Sequence, residues 1–143
     1  MTNVFEPMEG AAGFRLSNPS VLCVASLLAS LDVFSKTSMK QLAERSNRLT
    51  GYLEMLIDKM VDPKRVVIIS PRNSSERGCQ LSLLFLQQDD MQPVFDFLDK
   101  NGVTVDERKP NVIRAAPAPL YNTYLDVYSF VTLLCKGLDS LKK

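Results

Sequence analysis

The 143-residue sequence contains no histidine and no tryptophan. Without histidine it lacks the side chain that most often serves as a general base near neutral pH and most often ligates a metal. Net charge is also slight: 17 Lys and Arg stand against 16 Asp and Glu, a balance of +1. That balance gives no long-range pull toward nucleic acid or anionic lipid, and no nucleic-acid partner is expected. Long hydrophobic runs are missing. The longest, Val21 to Leu31, carries Ser26 and Ser30 and falls short of the ~20 apolar residues that a bilayer span needs, so no membrane partner is expected either. No basic start followed by an apolar run marks the amino terminus, and no secretory signal is read there. GxGxxG, Walker, CxxC and HExxH patterns are all absent, which removes the commonest nucleotide and metal signatures. Cysteine is scarce and odd in number. Cys23, Cys79 and Cys135 lie far apart in apolar segments and read as buried, reduced thiols of a cytoplasmic protein.

What is present is ordinary for a globular chain: 45% hydrophobic and 23% charged residues, at the commonest length for one core. Residues 1–17 hold Pro7, Gly10 and Gly13 and read as a lead-in or linker; residues 18–143 read as one small domain. Asn18-Pro19 is a helix start, with Asn as cap and Pro at the first helical position. The helix it opens runs to about Phe34 and is apolar on most of its circumference, which predicts burial on more than one side. A longer helix begins near Thr37-Ser38. Its apolar positions, Met39 to Met60, recur every three or four residues, and Lys40, Glu44, Arg45, Arg48, Glu54 and Asp58 make the wet face. Asp62-Pro63 stops it.

Val66 to Ile69 is a β-branched strand, and Cys79 to Leu86 alternates as a second. Asp89 or Asp90 starts a short helix that Asn101-Gly102 ends. Val103 and Val105 mark a third strand and Val112 to Ala116 a fourth, closed by Pro117 and Pro119. Asn122 or Thr123 caps the last helix, which buries Val127, Val131, Leu134 and Leu138. The order predicts an α+β fold: a small antiparallel-rich sheet with helices on one face.

Arg114 stands out among residues able to do chemistry. It interrupts Val112-Ile113-Arg114-Ala115-Ala116 just before a proline-rich turn, where two alanines leave room for a ligand. A guanidinium fork can bind a carboxylate through two parallel hydrogen bonds; an edge-strand arginine facing water is the plainer alternative. Ser17-Asn18-Pro19 reads first as a helix cap, and second as polar groups beside a ligand. Arg77-Gly78, ahead of a strand, is either an anion-positioning loop or a turn. Tyr121 and Asn122 read as a helix entry with a packed ring.

Taken together, five stretches resemble one family. Gly13-Phe14-Arg15-Leu16-Ser17-Asn18-Pro19 resembles the opening of the small domain of kynureninases. Ala29 to Phe34, Leu49 to Glu54, Glu76 to Leu81 and Arg114 to Asn122 follow in the family's order and spacing, over nearly the whole chain from Glu9. The resemblance implies the carboxy-terminal small domain of a fold-type I pyridoxal-phosphate enzyme, homodimeric and cytoplasmic. It implies hydrolysis of L-kynurenine or 3-hydroxykynurenine to anthranilate or 3-hydroxyanthranilate plus L-alanine, in tryptophan breakdown and NAD biosynthesis. In that family the arginine at Arg114 grips the substrate α-carboxylate, and the asparagine at Asn18 lies in the substrate pocket with Ser17 beside it. The family's cofactor lysine, its pyridinium-pairing aspartate and its phosphate-binding groups belong to the large domain. None of the lysines here, such as Lys36, Lys40, Lys59 and Lys64, matches the cofactor lysine. The chain therefore reads as a fragment that is inactive by itself, with no catalytic, cofactor-binding or metal-binding residue of its own. The alternatives are a non-catalytic binding or dimer-interaction module derived from such an enzyme, or a cysteine desulfurase relative, against which the Glu76 to Leu81 stretch argues.

Overall fold

Helix α1 (Val21–Phe34) and helix α2 (Met39–Met60) follow each other across a four-residue break. The computed structural model describes residues 3–141. The chain divides between Ser38 and Met39 into two units.

The first unit holds a 3-10 turn over Gly10–Phe14 and α1. α1 has no buried residue, and Val21, Leu22, Leu27, Leu28 and Leu31 are each more than half exposed. The expected burial of this helix is not met among the described residues. Its expected start also shifts. Ser20, not Asn18, is the cap residue, and its side chain makes no capping bond. Pro19 lies before the cap, in the non-helical lead-in, where its fixed φ still suits the chain.

The second unit carries the core. In α2 the three- and four-residue spacing buries Leu42, Leu49, Leu53, Leu56 and Ile57 along one stripe. Four strands follow, β1 (Val66–Ile68), β2 (Leu81–Phe85), β3 (Asp106–Arg108) and β4 (Val112–Ala115). They form one antiparallel sheet in the order β1-β2-β4-β3. Leu81, Leu83 and Phe85 of β2 and Ile113 and Ala115 of β4 alternate onto one face. There they meet α2, α3 (Met91–Lys100) and α4 (Tyr124–Ser140) in a single hydrophobic cluster. The other face carries Ser82, Leu84, Val112 and Arg114, all partly exposed. This is the expected α+β arrangement, with helices on one face of a small antiparallel sheet.

Two glycines set the packing of α3. Gly102 has φ +77° and ends the helix: its N–H donates to the Asp99 carbonyl at 2.9 Å, and the Val103 N–H to the Leu98 carbonyl at 3.0 Å. That is a Schellman closure, for which an L side chain at the left-handed position is disfavoured. Gly137 is buried on α4 where α3 crosses. A Cβ there would stand 3.1 Å from Phe97 Cδ1, so the missing side chain is what lets the two helices approach.

Other expectations are corrected. The third strand begins at Asp106 rather than at Val103, because the Val103 N–H is already committed to closing α3. Val103 and Val105 pack against the core without joining the ladder. Glu54 is not on a wet face but half-buried. The three cysteines are free, yet not buried: Cys23 is exposed on α1, and Cys79 and Cys135 are intermediate.

Candidate functional site

Arg114 is on β4, an inner strand flanked by β2 and β3, and not on a sheet edge. Strand alternation sends Ala115 into the core and Arg114 to the opposite face of the sheet, with its side chain 30% exposed. Its neighbour on β2 is Ser82 and its partner on β3 is Asp106. The small residue directly across from the guanidinium is therefore Ser82, and only Ala116 of the two alanines is exposed. Arg114 Nε donates to Asp106 Oδ2 at 2.8 Å, and Arg114 Nη2 donates to the same oxygen. Arg108 Nη1 donates to Asp106 Oδ1 at 2.7 Å. The hydrogen bond from Arg114, aided by the charges of Arg108 and Arg114, holds the Asp106 carboxyl below its ordinary range. Two cations share one anion, so the cluster keeps a net positive charge. Sequence reasoning did not include Asp106 and Arg108. Strand register, which a single sequence does not display, sets Asp106 opposite Arg114 and Arg108 opposite Val112.

The Arg77 loop is built differently. Arg77 is only 6% exposed, ion-paired to Glu54 on α2, and donates from Nη1 to the Pro71 carbonyl at 3.0 Å. Arg72 adds bonds to Glu54 at 2.7 Å and to Asp58 at 2.8 Å. Burial alone would raise the Glu54 carboxyl, but the hydrogen bonds from Arg77 and Arg72 outweigh it and leave the group lowered. With Thr50 Oγ1 donating to the Cys79 carbonyl at 3.1 Å, the loop is fastened to α2. Arg77 is thus matched by a carboxylate of its own chain rather than held open for an outside anion.

Tyr121 and Asn122 border a cleft of about 540 Å³ between the start of α4 and residues 101–105, floored by Ala115, Val127 and Phe130. The Asn122 side chain accepts from the Ala118 N–H at 2.8 Å, and Arg45 donates to the Pro119 and Asn122 carbonyls. These bonds fix the proline-rich turn after β4. Arg114 does not line the cleft. Ser17 and Asn18 lie in the first unit, both exposed, ahead of α1.

Pyridoxal phosphate, which the resemblance implies for the full-length enzyme, does not fit these residues. Every described lysine is exposed and none lines the cleft, so none is placed to hold the cofactor. Among the described residues no group of His, Cys, Asp and Glu is arranged to hold a metal. No single helix among them is long and apolar enough to cross a membrane.

Kynureninase 1 of Aspergillus oryzae is 52% identical over 135 residues, covering 91% of this chain and 28% of that protein. The kynureninase of Homo sapiens is 48% identical over 147 residues, covering 98% of this chain and 31% of its own length. The chain therefore spans less than a third of these relatives. Among solved structures, a NifS-like protein matches 71% of the chain with a TM-score of 0.57 at 19% identity, covering 29% of that protein. A lysine aminotransferase from M. tuberculosis matches 82% with a TM-score of 0.53 at 15% identity, covering 24% of it. At such identities the likeness is one of fold. It agrees with the small domain of fold-type I pyridoxal-phosphate enzymes. The family model for the kynureninase C-terminal domain matches residues 42–134, well over half of the sequence, and the chain belongs to that family.

Proposed function

We propose that this chain supplies the substrate-carboxylate side of a kynureninase, a cytoplasmic homodimeric enzyme. The reaction is hydrolysis of L-kynurenine or 3-hydroxykynurenine to anthranilate or 3-hydroxyanthranilate and L-alanine, in tryptophan catabolism. The observation that carries the reading is identity near 50% to kynureninases over almost the whole chain. Pyridoxal phosphate, when bound by the large domain, supplies the electron sink for cleavage. This chain's part is to bind and orient. Arg114, on an inner strand and in a net-positive cluster, binds the α-carboxylate; Asn18 and Ser17 are proposed as substrate contacts on the family resemblance alone.

The test is Arg114→Lys and Arg114→Ala in a full-length kynureninase carrying this domain. Lysine keeps the charge but replaces a planar fork with a point donor. Charge-assisted hydrogen bonds contribute about 1.5–3 kcal/mol each, so kcat/KM should fall roughly ten- to a hundredfold, through KM, with cofactor absorbance unchanged. Wild-type efficiency in Arg114→Ala, or loss of cofactor with substrate affinity intact, removes the assignment.

The 143-residue chain by itself should not turn over kynurenine, since none of its lysines matches the cofactor lysine that the family resemblance assigns to the large domain. Anthranilate release on mixing with pyridoxal phosphate, together with borohydride fixation on one lysine, would contradict this. A second reading, a non-catalytic module that docks on full-length subunits, draws on the exposed apolar surface of α1. Co-purification with a full-length kynureninase and inhibition of it would favour that reading.

A further inference from the structure

The Arg114 guanidinium is only half used. Its Nε and Nη2 both donate to a single oxygen, Asp106 Oδ2, while Nη1 makes no hydrogen bond among the described residues. A planar guanidinium offers two edges to carboxylates: the side edge, Nε with Nη2, and the end edge, Nη1 with Nη2. Asp106 occupies the side edge and leaves the end edge open. Asp106 is itself braced. It lies directly across the ladder from Arg114, on a strand whose backbone is fixed by pairing, and its second oxygen receives Arg108. The contact therefore sets the plane of the guanidinium from a rigid element rather than from a mobile loop. Because Arg108 adds a second cation, the one carboxylate does not neutralise the site, and a second anion remains attracted.

We infer that Asp106 is a positioning residue for Arg114: it holds the side edge of the guanidinium so that the end edge faces an incoming α-carboxylate. This rests on the reading of Arg114 as the carboxylate grip. An unbraced arginine on an open sheet face samples several rotamers, and a substrate must then select the competent one at a cost in affinity. Asp106→Asn keeps the size but removes the charge that orders the pair and replaces one of the two accepting oxygens with a donor.

Two measurements separate this inference from its premise. The first is ¹⁵N spectroscopy of arginine Nε–H groups in the chain. The Arg114 signal, assigned by its loss in Arg114→Lys, should be shifted and protected from exchange, and Asp106→Asn should abolish the protection. The second is steady-state kinetics of a full-length kynureninase carrying this domain. Asp106→Asn should raise KM roughly tenfold with kcat changed much less, because ground-state orientation rather than the chemical step is affected. Asp106→Glu, which restores the charge, should recover part of that loss. If the Nε–H protection survives in Asp106→Asn, the bracing contact is absent and the inference fails. If protection is lost but KM is unchanged while Arg114→Ala still raises it, the grip stands and Asp106 has no positioning role. If Arg114→Ala leaves KM unchanged, the premise itself is wrong, and the inference falls with it.

Discussion

Glu54 and Arg77 form the most enclosed ion pair in the second unit, with side chains 17% and 6% exposed. Arg72, which shares Glu54, is 53% exposed. The same chemistry should therefore have different consequences at the two arginines. Removing one member of a buried pair strands a charge and costs about 3–5 kcal/mol, whereas exposed pairs contribute about 0–1 kcal/mol. Since Glu54 keeps Arg72 as a partner, Arg77→Ala should fall somewhat below that range, and Arg72→Ala should shift the urea midpoint little. Equal shifts would contradict the difference in burial. Acid sensitivity follows from the same pair. The folded-state pKa of Glu54 is lowered from an unfolded value of about 4.3. Its contribution is thus fully present above that value and is lost as pH falls through the folded one. Stability curves of wild type and Arg77→Met, taken from pH 7 down to pH 3, should converge at the acid end. Sequence alone leaves Arg77 as either an anion-positioning residue or part of a turn, since neither its burial nor its partner 23 positions earlier is visible in local pattern. Asp106 was overlooked for the same reason: cross-strand pairs are set by register, which a single sequence does not display.

The elements themselves were far more legible. Periodicity of three to four in α2, alternation in β2, and Asn101-Gly102 at the end of α3 all carry their physical cause in consecutive residues. The last helix had two candidate caps, and the structure selects Thr123. Its side chain accepts from the Asp126 N–H at 3.2 Å while Asp126 accepts from the Thr123 N–H at 2.8 Å. This capping box holds the Asp126 carboxyl below its usual range, chiefly through the backbone N–H of Thr123. Thr123→Ala should cost about 1 kcal/mol, and Gly102→Ala a similar amount by placing a Cβ at positive φ. Gly102 and Asp126 border the same cleft, so the double variant in thermal or urea unfolding should lose more than either single one, any departure from the sum measuring coupling between the two ends. A double variant no worse than either single would mean that one of these ends is frayed in solution. Elements misjudged from sequence were those decided by competition. Val103 and Val105 favour a strand by propensity, but closing α3 takes the backbone of Val103 first.

At the scale of the whole molecule the prominent feature is the uncovered surface of α1. Val21 and Leu22 are 80% exposed, and Leu27, Leu28 and Leu31 exceed half. An apolar patch of this kind exceeds what monomers usually expose. The chain should elute from size exclusion as an oligomer, bind an apolar-surface dye, and lose both behaviours when Leu22, Leu27 and Leu31 are replaced by Glu. A dye-silent monomer at high concentration would show that the patch is covered in solution. Such association has a limit set by the sheet. Its outer strand β3 is three residues long and consists of Asp106, Glu107 and Arg108, while the other outer strand, β1, is equally short and closely bracketed by Pro63 and Pro71. Short strands, charge and nearby proline all oppose the docking of a further strand. Copies drawn together by α1 therefore have no template along which to grow, and the expected product is a finite soluble cluster that leaves an amyloid-reporting dye dark, not a fibre.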